Sequence, residues 1–208
     1  MILDWLYPPT CMGCKILLPL NDKRRCAIWL CGECESLLER VPQGAFVYEG
    51  LLRDIIRDIK FRSKRNHARA LGRLWAGESG LPRRGAIFAP VPLHPSKKRE
   101  RGFNQAEILA RELSRGLGLP MENALRRIVD TPPQAGLHPA MRIENVANAF
   151  RVAPQCTVAG KSFILVDDIY TTGASLNECA RTLTAHGAKE VTWMTLAVTL
   201  KKKPEGLE

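Results

Sequence analysis

The chain has 208 residues, 45% of them hydrophobic and 25% charged, and 31 Lys and Arg against 21 Asp and Glu give a formal charge of +10. That balance excludes a disordered or fibrous chain, and the length allows a proper core without a disulfide framework. No apolar run approaches the ~18 residues of a membrane helix, and Met1-Ile2-Leu3-Asp4-Trp5 lacks the basic and apolar regions of a secretory signal, so a cytoplasmic protein is expected.

Five of the seven cysteines fall between Cys11 and Cys34. Cys11-Met12-Gly13-Cys14 and Cys31-Gly32-Glu33-Cys34 are two C-x2-C knuckles with 16 residues between them. The paired spacing predicts a structural zinc site on Cys11, Cys14, Cys31 and Cys34, in which two tight turns each aim two thiolates at one tetrahedral metal. Disulfides and single-knuckle redox chemistry are the rival readings. Cys26, between the knuckles, reads as a spare thiol, with substitution as a ligand the alternative. Val41-Pro42-Gln43-Gly44 is a turn, so the zinc module is placed at 1–44 and the larger domain at 45–200.

Ala45–Tyr48 reads as a short strand. From Leu51 the period turns helical, with Leu51, Leu52, Ile55, Ile56 and Ile59 on one face and Arg53, Arg57 and Lys60 on another. A second helix is predicted near 67–77, a buried strand over Ala86–Val91, and an amphipathic helix from Phe103 to Leu117 opened by the capping pair Asn104 and Glu107. Residues 51–116 carry 16 basic and 6 acidic side chains, which is the whole net charge of the chain. Such a zone suits a polyanion, whether nucleotide phosphates or a nucleic-acid backbone, although a solvated basic face produces the same pattern.

Phe163-Ile164-Leu165-Val166 is apolar at every position, as a central parallel strand covered on both faces requires. It runs into Asp167-Asp168-Ile169-Tyr170 and the turn Thr171-Thr172-Gly173-Ala174-Ser175. A helix follows, with Leu176, Cys179, Ala180 and Leu183 inward and Gly187 at its end. Val191–Val198 is the next strand. Three hydroxyls, open backbone N–H groups and a helix N-terminus make a cradle for one phosphate. Acids beside a phosphate cradle would repel the phosphate, so they serve another part of the same ligand, and sugar hydroxyls are natural donors to them. A phosphate and a diol describe a ribose 5-phosphate. An NTPase phosphate loop at Gly160-Lys161-Ser162 fails, because Gln155 stands where that motif needs glycine and the triplet precedes a strand instead of following one.

Val166-Asp167-Asp168-Ile169-Tyr170-Thr171-Thr172-Gly173 resembles the phosphoribosyl pyrophosphate (PRPP) signature of type I phosphoribosyltransferases. With the cysteine knuckles, Lys60-Phe61, Val91-Pro92-Leu93-His94-Pro95, Arg99-Glu100-Arg101-Gly102-Phe103-Asn104-Gln105 and Thr131-Pro132-Pro133-Gln134, the chain resembles the ComF (competence protein F) family over nearly its whole length. It departs from that pattern at Gly50, near which a proline belongs, and at Ser63, near which a glycine belongs.

The resemblance implies an α/β fold, with a type I phosphoribosyltransferase-like parallel sheet, flanking helices and the small four-cysteine module. It implies PRPP binding by Asp167, Asp168, Thr171, Thr172, Gly173, Ala174 and Ser175, with the two acids as catalytic residues. The stretch from Pro92 to Asn104 becomes a pyrophosphate loop carrying Lys97, Lys98, Arg99 and Arg101, with magnesium bound alongside. The segment 131–145 becomes a lid, with Gln134 and Arg142 as loop residues. None of the four histidines is needed: His67, His138 and His186 read as surface or loop residues, and a Pro-rich turn positions His94. The implied partners are PRPP, single-stranded DNA and proteins of the DNA-uptake machinery. Nucleobase salvage is the alternative, but no hood that would read a base is evident. Residues 201–208 read as a basic tail.

Overall fold

The computed structural model describes residues 9–41, 46–80, 85–130 and 146–200. Within the cysteine region, α1 (Lys23–Ile28) and α2 (Gly32–Ser36) are short helices, and Cys31 caps α2 by accepting the Cys34 N–H on its sulfur. Then follow β1 (Phe46–Val47), α3 (Gly50–Phe61), α4 (Arg65–Glu78), β2 (Ala86–Pro90), α5 (Pro95–Arg101) and α6 (Gln105–Leu117). The remaining elements are β3 (Leu125–Arg127), β4 (Phe150–Val152), β5 (Ser162–Tyr170), α7 (Ala174–Ala185) and β6 (Glu190–Val198).

The main sheet has the order β1-β6-β5-β2, and every pairing in it is parallel. A run buried on both faces must feed two cores, and β5 does so. Ile164 and Val166 join Phe88, Leu109 and Trp75 on one side, while Phe163 and Leu165 join Leu176, Cys179 and Leu183 on the other. Helix α6, the second helix after β2, therefore covers one face and α7, the helix after β5, covers the opposite one. Neighbouring strands whose helices depart to opposite faces leave a crevice at their carboxyl ends. That crevice is where the site lies.

The larger helices form where periodicity placed them. In α3, Leu52, Ile55, Ile56 and Ile59 are buried, and in α4 Ala68, Leu71, Leu74 and Trp75 are. The first core also holds Cys11, Cys31 and Cys34, so the cysteine knuckles pack continuously with α3 and α4. Four expectations change. Residues 92–104 are not plain loop: Pro95 opens α5, capped by His94, and Gly102 closes it at φ +81°. The helix expected from Phe103 begins at Gln105, with Asn104 capping it by accepting the Ala106 N–H at 3.0 Å. Strand β5 does not stop at Val166 but carries both acids and runs to Tyr170. His67, read as a surface or loop residue, is half-buried in α4 and meets the Trp29 ring edge-on.

Candidate active site and cysteine centre

A cleft of about 560 Å³ opens at the carboxyl ends of β2 and β5. Asp167, Asp168 and the turn Thr171, Thr172, Gly173, Ala174 and Ser175 line one wall. The turn is held from both sides. Tyr170 stacks on Trp193 with ring centroids 4.8 Å apart, and its carbonyl accepts from the N–H and hydroxyl of Thr199, each at 3.1 Å. Gly173 caps α7 at φ +74°, a conformation in which other residues are strained, and a Cβ there would lie 2.9 Å from the Tyr170 Oη. The Thr172 Oγ1 accepts from the Ala174 N–H at 3.4 Å. The first amides of α7 thus face the cleft with the positive end of the helix dipole behind them.

The two acids are in direct contact. The Asp168 N–H donates to Asp167 Oδ1 at 2.9 Å, and the Lys60 ammonium lies 2.6 Å from Asp168 Oδ2. Burial, then the neighbouring Asp168 charge, push the Asp167 carboxyl up to about 7. Two cations complete the opposite wall. Lys97 and Arg101 stand one helical turn apart on α5 and both line the cleft. Lys98 and Arg99 fall on other sides of the same helix and do not line it: Lys98 pairs with Glu107 at 3.2 Å, and Arg99 is exposed.

Sequence reasoning missed two cleft residues. Lys60 was read as part of a polar helix face and, with Phe61, as a family motif, and neither reading put it in the cleft that both residues line. Arg127, from the three-residue strand β3, lines the cleft as well, and burial pulls its pKa down. No sequence signal marks so short a strand. Gln134, Arg142, His138 and the rest of 131–145 lie outside the described residues. At the threshold of that segment, Ser96 Oγ donates to Asp130 Oδ2 at 2.6 Å, with His94 Nδ1 3.2 Å from the same oxygen.

The ligand atoms of Cys11, Cys14, Cys31 and Cys34 lie within 4.8 Å of one another, a set that could hold a metal ion. Cys11 Sγ is 3.8 Å and Cys14 Sγ 3.7 Å from Cys31 Sγ. Burial raises the Cys11 thiol, but N–H donors from Cys31, Cys14 and Gly13 outweigh it and leave the group lowered to about 7. Burial and the three neighbouring thiols push Cys34 up to about 12. Gly13 allows the approach, because a Cβ there would meet Cys34 Sγ at 2.7 Å. Cys26 lies outside the set and donates to the Pro19 carbonyl. No described helix is long and apolar enough to cross a membrane.

Comparison with known proteins adds an independent line. Residues 100–208 match the model of the phosphoribosyl transferase domain. "Competence protein F" of Haemophilus influenzae is 38% identical over 104 residues, which cover 49% of this chain and 45% of that protein. "DNA utilization protein YhgH" of Escherichia coli is 34% identical over 182 residues, covering 82% of this chain and 78% of that protein. "Competence protein ComFC" of Bacillus subtilis is 28% identical over 188 residues, covering 83% and 70%. The match thus spans less than half of the Haemophilus protein but most of the other two.

Proposed function

This chain belongs to the phosphoribosyl transferase domain family, in its competence protein F branch, and we propose that it binds PRPP with magnesium in the cleft and supports the uptake or use of single-stranded DNA. The observation that carries the first part is the convergence in one cleft of an acid pair, a phosphate-sized turn at a helix N-terminus and cations on the facing wall. Asp167 and Asp168 accept the sugar hydroxyls. The Thr171–Ser175 turn takes the 5-phosphate on its amides and hydroxyls. Lys97 and Arg101, with Arg127, offer charge to the diphosphate, and magnesium travels with that group. If the ribose is transferred, its C1 centre develops positive charge as the diphosphate departs, and the same acids and cations stabilise both fragments.

The second part rests on the names of the relatives, "competence" and "DNA utilization", and on the concentration of positive charge in residues 51–116. Proteins of the DNA-uptake machinery are the matching protein partners. The four-thiol cluster holds structural zinc. Zn–S bonds of ~2.3 Å in a tetrahedron place sulfurs ~3.8 Å apart, and the two sulfur separations named above are 3.8 and 3.7 Å. Four sulfurs leave no open position, so the metal supplies fold and no chemistry.

Calorimetric titration with PRPP in excess magnesium tests the reading. Asp168→Ala removes a charged acceptor whose bonds are worth ~1.5–3 kcal/mol, which corresponds to roughly ten- to a hundredfold weaker binding. No heat of binding with the wild type, or equal affinity in the variant, refutes it.

A further inference from the structure

We propose that Lys60 is a positioning residue for the acid pair: its ammonium holds the Asp168 carboxyl group turned into the cleft, where it receives the sugar hydroxyls. The inference rests on the reading of the cleft as a PRPP site. Lys60 Nζ lies 2.6 Å from Asp168 Oδ2, and the two side chains are 22% and 8% exposed, so the pair is largely withdrawn from water. Adjacent carboxylates at the end of one strand repel, and in a half-dry cleft they do not both keep their charge without a cation. A cation fixed beside the pair favours its charged form.

The neighbours on every side support this role. Asp168 faces Lys60 from α3 and the charge of Arg101 from α5. Asp167 is raised by burial and by Asp168, is lowered by Lys60, and has Arg127 from β3 and Cys179 from α7 near it. Lys60 makes the close contact, and its backbone is well held. It lies in the last turn of α3, whose end is closed by the Arg62 N–H on the Asp58 carbonyl at 2.9 Å. Just beyond, Ser63 Oγ donates to the Arg101 carbonyl at 3.2 Å, joining this turn to the end of α5. The ammonium therefore approaches the acids from a braced helix end.

A lysine in such a place could instead be a latch that the ligand must displace, and the two roles give opposite results. If the latch is real, removing the lysine tightens binding. If Lys60 positions Asp168, removing it weakens binding and does so unequally with pH. A hydroxyl donates to an ionised acceptor, so affinity is full at high pH and is lost as falling pH protonates the pair. Without the cation, the pair takes up its proton at a higher pH, and the loss begins earlier.

The experiment titrates wild type, Lys60→Met and Lys60→Arg with PRPP and magnesium between pH 6 and 9, after circular dichroism confirms matched folding. Lys60→Met should bind about tenfold more weakly at pH 6, equivalent to a shift of about one pKa unit, and about fivefold more weakly at pH 7, and the gap should close towards pH 9. Lys60→Arg keeps the charge and should stay within about threefold of wild type throughout. Tighter or unchanged binding by Lys60→Met overturns the proposal, and so does a loss equal at every pH or a folded Lys60→Arg as weak as Lys60→Met. Wild type that does not bind PRPP removes the reading of the cleft and this inference with it; wild type that binds while Lys60→Met matches it removes only the inference.

Discussion

Gly173→Ala tests how the phosphate turn is held. The added methyl would lie 2.9 to 3.1 Å from three atoms of the Tyr170 side chain, and residue 173 has φ +74°. An L residue in the left-handed region costs ~1–2 kcal/mol. The Tyr170 ring cannot simply swing aside, because it is stacked on Trp193 at 4.8 Å and 18°. Disturbing such a stack forfeits up to ~0.5–1.5 kcal/mol. The sum is a destabilisation of about 1.5–3.5 kcal/mol. With a urea m-value of about 2 kcal/mol/M, the unfolding midpoint should fall by about 0.7–1.8 M. Gly118→Ala is the control: Gly118 has φ +68°, and a Cβ there meets nothing within 4 Å, so it pays the backbone cost without the ring contact. Equilibrium unfolding of both variants isolates the share of Tyr170, and PRPP titration of Gly173→Ala reports the displaced amides as weaker binding. Equal losses in the two variants, with unchanged PRPP affinity, would refute the idea that the aromatic pair braces the turn.

Purified protein should contain about one zinc per chain. Because Cys34 packs in the same core as α3 and α4, Cys34→Ser should lose the metal and also lower the unfolding midpoint of the whole chain; elemental analysis and a thermal melt check this. Affinity for a single-stranded oligonucleotide should fall steeply between low and moderate salt and depend little on base sequence, as fluorescence anisotropy would report; binding absent even at low salt leaves the basic stretch to PRPP and solvent.

Hydrophobic period revealed the helices α3, α4, α6 and α7 and the core of β5, because each buries a regular set of side chains. It failed where burial does not follow a period. The end of β5 is polar, yet ladder pairing with β6 continues through Asp167 opposite Thr195 and Tyr170 opposite Val198. Helix α5 buries none of its residues, so only Pro95 at its start and Gly102 at its end announce it. Strands β3 and β4 have three residues each and pair across a long interval of sequence, which no local pattern encodes. The acid pair and the Thr171–Ser175 turn were legible because they are contiguous. Lys60 and Arg127 reach the same cleft from distant elements, and only tertiary structure joins them. The family pattern places a glycine near Ser63, and the backbone agrees: Ser63 adopts φ +52°.

The pairing of β1 with β6 bears on how the chain acquires its fold during synthesis. Phe46 is fully buried and registers with Ala197, and Val47 with Val198, so a strand made early finds its neighbour only near the far end of the described chain. Until then the core that α3 and α4 share with Ile164, Val166, Leu196 and Ala197 of the sheet is incomplete. Such distant closure slows folding and leaves sticky surface exposed while the ribosome is still at work. The cysteine knuckles, made before the main strands and packing on these same helices, can take up metal before the sheet exists and give the nascent chain an early anchor.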